Sequence, residues 1–192
     1  MISPAPELTP QEKTLKRILL ISLIDGWSIL AFAAIGTLIA LFLGDYSGVA
    51  VGGLIAIAGG MEIRGRKQLK RRNPDGMKLL VRAQMFFLAV ILVYCASRLG
   101  SFDGESAMGN LTPDLEAALK ESGLAKADIL PLLRTMFFVL YAGVALGTVI
   151  FQGGLALYYR SKIAHVTTAL TKPPHPPAFP LHSSDSPPFD GL

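Results

Sequence analysis

Four apolar runs constrain this chain more than any other feature: about Ile18–Leu43, Gly48–Ile63, Met77–Leu99 and Leu133–Tyr159. A helix of about 20 apolar residues crosses a bilayer. Lipid offers no water to satisfy backbone N–H and C=O groups, so such runs fold as helices that bond internally. Composition agrees. Hydrophobic residues make up 51% of the chain, charged residues 17%, and mean hydropathy is +0.47. A soluble domain carries about 25% charge. The chain therefore lacks the polar surface of a soluble enzyme and the polarity of a disordered regulator. The expected fold class is an all-α integral membrane four-helix bundle over residues 15–170.

Flanking segments read differently. Residues 1–14 form an expected mobile arm, with a helix start at Thr9 and Pro10 at the first helical position. The first apolar run follows Lys13, Lys16 and Arg17, as a signal peptide would, but it continues to Leu43, beyond the ~7–15 residues of a signal core. It reads as a retained span. The second run is short, so its helix is expected to continue as IRGRKQLKRR and to stop at Asn73-Pro74-Asp75-Gly76. Within the 100–132 connection, Thr112-Pro113-Asp114 opens and Gly123 closes a short amphipathic helix, with Leu115, Ala118, Leu119 and Leu124 on one face. Residues 171–192 hold seven of the thirteen prolines and read as a disordered tail. Its Pro-x-x-Pro spacing also suits a docking peptide, although such spacing arises wherever proline is dense.

Charge orients the bundle. Thirteen of the eighteen basic residues precede span one, join spans two and three, or follow span four. Basic loops stay cytoplasmic, which places both termini inside and the 100–132 connection outside. A weak internal echo accompanies this. Gly59-Gly60 and Gly153-Gly154 close spans two and four, each pair followed after six positions by Arg66 or Arg160. That pattern suggests two parallel duplicated hairpins, with chance as the competitor because glycine is frequent in membrane helices.

Small residues recur at helical spacing: Gly36 in span one, Gly48, Gly52 and Gly60 in span two, Gly143 and Gly147 in span four. Lipid supplies no hydrophobic push between helices, so close backbone approach through small residues is the main adhesive. The plain reading is packing within one chain. The functional reading is a contact with a homo-oligomer or a membrane complex.

Polar residues inside the spans are sharper. Asp25, Glu62, Arg82, Gln84 and Gln152 all fall in the half of the membrane nearer the basic loops; Asp25 lies about 12 Å inward from Arg17 by helical rise. An ionisable group there is costly unless paired or wetted. Asp25, Ser28, Gly36 and Ala40 share one helical arc. The expectation is an Asp25–Arg82 ion pair, with Glu62 as competitor and Gln84 and Gln152 completing a polar layer. Structural glue and snorkelling compete with a transport or proton pathway.

Catalytic motifs are absent. There is no HExxH, no GxSxG and no phosphate-binding GxxxxGK[ST], and the three histidines lie after the last span. Cys95, the only cysteine, reads as a small packing residue. Neither cofactor nor metal is expected. Arg64, Arg66, Lys67, Lys70, Arg71 and Arg72 form a basic collar suited to anionic lipid headgroups. It lacks the interleaved aromatics of a nucleic-acid surface. The expected protein is a non-catalytic accessory, assembly or scaffold subunit of a bacterial cytoplasmic membrane. A small transporter or channel built on the polar layer is the alternative, and a lipid-active enzyme with a headgroup pocket near Glu62 and Arg82 is a third.

Overall fold

The computed structural model describes residues 9–104, 121 and 126–171. The expected amphipathic helix of the 100–132 connection, the start of the arm and the proline-rich tail from residue 172 lie outside the described residues. The described residues form α1 (Pro10–Phe42), α2 (Tyr46–Lys70), α3 (Asp75–Gly100), α4 (Lys126–Thr148), a π-helical turn (Val149–Gly153) and α5 (Gly154–Thr171). The last three make one long helix, so four helices are long and apolar enough to span a membrane. No strand occurs among the described residues. This architecture is compatible with a multi-pass membrane protein.

Local chemistry sets the ends. Thr9 caps α1 in a reciprocal box: Glu12 N–H donates to the Thr9 hydroxyl, and Thr9 N–H donates to Glu12 Oε2 at 2.8 Å. Such caps contribute about 1 kcal/mol. The helix begun there runs without a break into the first span, so the end of the arm and the span are a single 33-residue element. Gly44 then adopts φ +69, a conformation that side chains resist, and Asp45 caps α2 by accepting from Gly48 N–H at 3.1 Å.

The second helix continues past its apolar run to Lys70, as expected, and the expectation is corrected only at the far side of the turn. The chain turns at Arg71–Pro74, with Arg72 at φ 60, and Asp75 and Gly76 already belong to α3. Gly76 serves packing here. A Cβ on it would stand 2.6 Å from the Gly65 carbonyl oxygen and 2.9 Å from Leu69 N. Gly65 and Gly76 thus mark the point where α2 and α3 cross at backbone contact.

In the assembled bundle α1 packs on α2, α2 on α3, and α3 along the whole fourth helix. The remaining seam, between α1 and the fourth helix, closes chiefly at α5. Near that end, which carries the basic segments, Ile18, Leu69, Met77, Leu80, Tyr159, Val166 and Leu170 form the core. At the opposite end no residue of 129–151 is buried. There the fourth helix meets α3 edge to face, Tyr94 on Tyr141 at 6.0 Å, with Phe137 beside Tyr141 on the same helix and Phe102, just past α3, tilted on Phe137 at 4.9 Å. Arg98 pairs with Asp45 beside them and lies 5.2 Å over the Tyr94 ring.

Candidate functional site

Three helices and α5 bring one polar cluster together at the inner edge of the packed half. Glu62 on α2 is fully buried, as is Tyr159 on α5, and Gln84 on α3 is 1% exposed. The Gln84 amide nitrogen donates to Asp25 Oδ2 at 2.6 Å and to Glu62 Oε2 at 3.0 Å. Tyr159 O–H donates to Glu62 Oε1 at 3.1 Å. Two acids therefore share one amide, and neither forms an ion pair with a Lys or Arg among the described residues.

The expected Asp25–Arg82 pair is not formed. Arg82 and Gln84 are two positions apart, about 200° around α3. Turning Gln84 inward sends Arg82 outward, where it is exposed. The competitor, Glu62, shares the cluster with Asp25 instead. A buried carboxyl beside a half-buried one, with no countercharge on either among the described residues, is an arrangement lipid tolerates poorly unless hydrogen bonds or water stand in for it.

Gln152 reaches the same region by a different device. It sits in the π-helical turn, beside Gly153-Gly154. Glycine weakens helical register, and a π turn inserts an extra residue that re-aims its neighbours. Gln152 is 6% exposed, and its Oε1 has no hydrogen-bond partner; Gln84 Oε1 is in the same state. Asp25, Ser28 and Gln152 line a cleft of about 460 Å³ with Ile24, Phe32 and Phe151. A second hollow of about 460 Å³ adjoins it at Phe32 and passes Gly36 and Ala40 to Asp45, Arg98 and Tyr141. The first lies in the open seam between α1 and the fourth helix, and the second continues it between α1, α2 and α3, reaching the fourth helix at Tyr141.

Tyr159, at the end of the fourth apolar run, has the position of an interface aromatic but is a core residue of the cluster. Seven positions separate it from Gln152, close to two helical turns, so the two share a face. That spacing was the available signal. Ser22, also fully buried, donates weakly to the Leu19 carbonyl at 3.4 Å.

The remaining residues divide plainly. In the basic collar, Arg66 donates through Nε to the Leu19 carbonyl at 3.0 Å, tying α2 to α1. Arg64, Lys67, Lys70, Arg71 and Arg72 are exposed. Among the glycines, a Cβ on Gly52 would collide with Thr37, and one on Gly48 would stand 2.8 Å from Ala40 Cβ. Gly36, Gly60, Gly143 and Gly147 meet open space.

No family model matches the chain, and no curated protein or solved structure matches it either.

Proposed function

We propose that the protein is a non-catalytic membrane subunit that assembles with a partner in the bilayer, and that anionic lipid gathers at its basic collar. One observation carries this. The chain uses about half of its membrane glycines for its own close contacts and leaves Gly36, Gly60, Gly143 and Gly147 with nothing against them. A bare glycine in a membrane helix forgoes side-chain packing, and what it offers in return is close approach of another helix.

The proposal includes an orientation and a location. Both termini lie in the cytoplasm, because thirteen of eighteen basic residues sit at that end, and the membrane is the cytoplasmic membrane of a bacterium. Two parallel hairpins related by duplication are part of the same reading, carried by Gly59-Gly60 and Gly153-Gly154 ahead of Arg66 and Arg160. Purification in mild detergent, with mass spectrometry of what accompanies the chain, tests assembly. The expected result is a defined multimer or membrane complex carrying anionic lipid. A lipid-free monomer counts against it. Cysteine labelling of the Arg64–Lys78 connection tests orientation, and reaction from outside intact cells would reverse it.

A transporter reading draws support from Asp25, which borders a cleft. The walls of that cleft are mostly apolar and include Ile24, Phe32 and Phe151, each more than 60% exposed toward the lipid side of the bundle. Such a cleft suits a helix better than an aqueous path. Ion or proton flux into liposomes at this chain's expense would favour transport.

A further inference from the structure

We propose that the open seam between α1 and the fourth helix receives α3 of a second copy of this chain, whose Arg82 supplies the countercharge for the Asp25 cluster. This rests on the subunit reading and names the partner.

Four observations converge on it. Asp25 and Glu62 are held together by Gln84, and neither pairs with a Lys or Arg among the described residues. Gln152 Oε1, almost fully buried at the floor of the cleft, has no donor. The cleft thus presents a carboxylate and an unpaired amide oxygen, and no cationic side chain lines it. Arg82 supplies donors and a positive charge, and it is exposed, with no ion-pair partner among the described residues. Depth matches as well. Arg82 is two residues from Gln84, about 3 Å along the helix, and Gln84 touches Asp25. Copies inserted in one membrane share an orientation, so an Arg82 of one copy and an Asp25 of another stand at the same level without any tilt.

Shape permits the contact. On α3 the exposed residues Arg82, Met85, Ala89 and Val93 follow one another at three- and four-residue steps, a continuous ridge. On the receiving side Gly36 lines the hollow beside Phe32 and leaves open space on α1. The ridge and the seam are different surfaces, so the contact is heterologous. It propagates head to tail and closes into a ring where the rotation allows.

Disulfide trapping in native membranes tests this, with full-length chains in a Cys95→Ala background. One tagged chain carries Ser28→Cys in the cleft. A second, differently tagged, carries Met85→Cys on the ridge. The expected product is a mixed dimer that joins 28 to 85, with little 28-to-28 product. Adding Arg82→Gln to the ridge chain should lower the yield at least five-fold, and Arg82→Lys should restore most of it. Arg82 is exposed, so both variants should melt like the parent, which separates lost contact from lost fold. Absence of the mixed dimer between folded chains overturns the proposal, as does a yield indifferent to Arg82→Gln. If a different membrane protein is captured at position 28, self-association falls while the subunit reading stands. If the chains stay monomeric in membranes and accompany nothing on purification, both fall.

Discussion

The two ends of this bundle solve the same packing problem differently. Near the basic end, glycines are spent on backbone contact: Gly65 against Gly76, and Gly59 against Gly26 and Leu30. Side chains there fill a core around Met77, Leu80 and Tyr159. Toward the other end, the fourth helix buries nothing over 129–151 and meets α3 with the Tyr94–Tyr141 ring pair. Gly143 and Gly147 face open space. A helix pair in lipid gains little from apolar burial as such, so a glycine with no neighbour adds nothing to the stability of the isolated chain. The basic end holds itself together, as do α1 and α2 at Gly48 and Gly52, whereas the outer half of the fourth helix is left open.

Alanine at one glycine from each half should break or sharpen that contrast most strongly. Gly76→Ala forces a methyl into the Gly65 carbonyl and the Leu69 backbone. Neither is a flexible side chain that can swing aside. Overpacking of this kind costs about 1–3 kcal/mol, so the melting temperature in detergent should fall by several degrees. Gly143→Ala adds its methyl to open space and gains up to about 1 kcal/mol of helix propensity. It should leave melting unchanged or raise it. Equal losses at the two sites would show that the halves do not differ.

Effects in the polar cluster come next. Gln84→Leu keeps the volume but removes the donor that Asp25 and Glu62 share, and should cost about 2 kcal/mol. Tyr159→Phe removes one of the two donors to Glu62 while keeping the ring in the core, and should cost about 1 kcal/mol. In a Glu62→Gln background the Tyr159→Phe loss should shrink, because the acceptor is weaker, and a double-mutant cycle on melting free energies reads that coupling. Identical losses in both backgrounds would detach Tyr159 from Glu62.

The same divide explains what could be read from the amino acids alone. Span count and rough limits follow from hydropathy, and the Thr9-Pro10 start follows from capping chemistry. The group Asp25, Glu62, Gln84 and Gln152 was legible as polar residues at one depth. Their pairing was not. Depth is one-dimensional, whereas partners depend on rotation about each helix, and the 200° between Arg82 and Gln84 decides which of them turns inward. Gly76 was misplaced for a related reason. After Asn73-Pro74-Asp75 it has the chemistry of a turn, and only the crossing with Gly65 reveals a contact. The π turn at Val149–Gly153 shifts register locally, which an ideal 100° per residue does not foresee. Which glycines meet a neighbour is set by the same rotations.

The smallest effect is expected at the rim of the loosely packed half, where acid tests a single polar latch. Asp45 accepts from the Ser47 hydroxyl at 2.5 Å and from Gly48 N–H at 3.1 Å, and it pairs with Arg98. Those hydrogen bonds, and then the Arg98 charge, hold its carboxyl below the usual range. In the unfolded chain the same carboxyl takes up its proton at a higher pH. Its contribution is therefore complete above about pH 4, the ordinary value for an aspartate, and is lost as the pH falls through the lowered folded value. Asp45 and Arg98 each remain about a third exposed, so solvent and salt screen much of the attraction. Asp45→Asn should lower the melting temperature slightly at neutral pH, match the parent at low pH and so flatten the acid limb of the melting curve in detergent, and make the remaining stability less sensitive to salt. A variant that melts like the parent at every pH would mean that the outer rim is held by the Tyr94, Tyr141 and Phe137 rings alone.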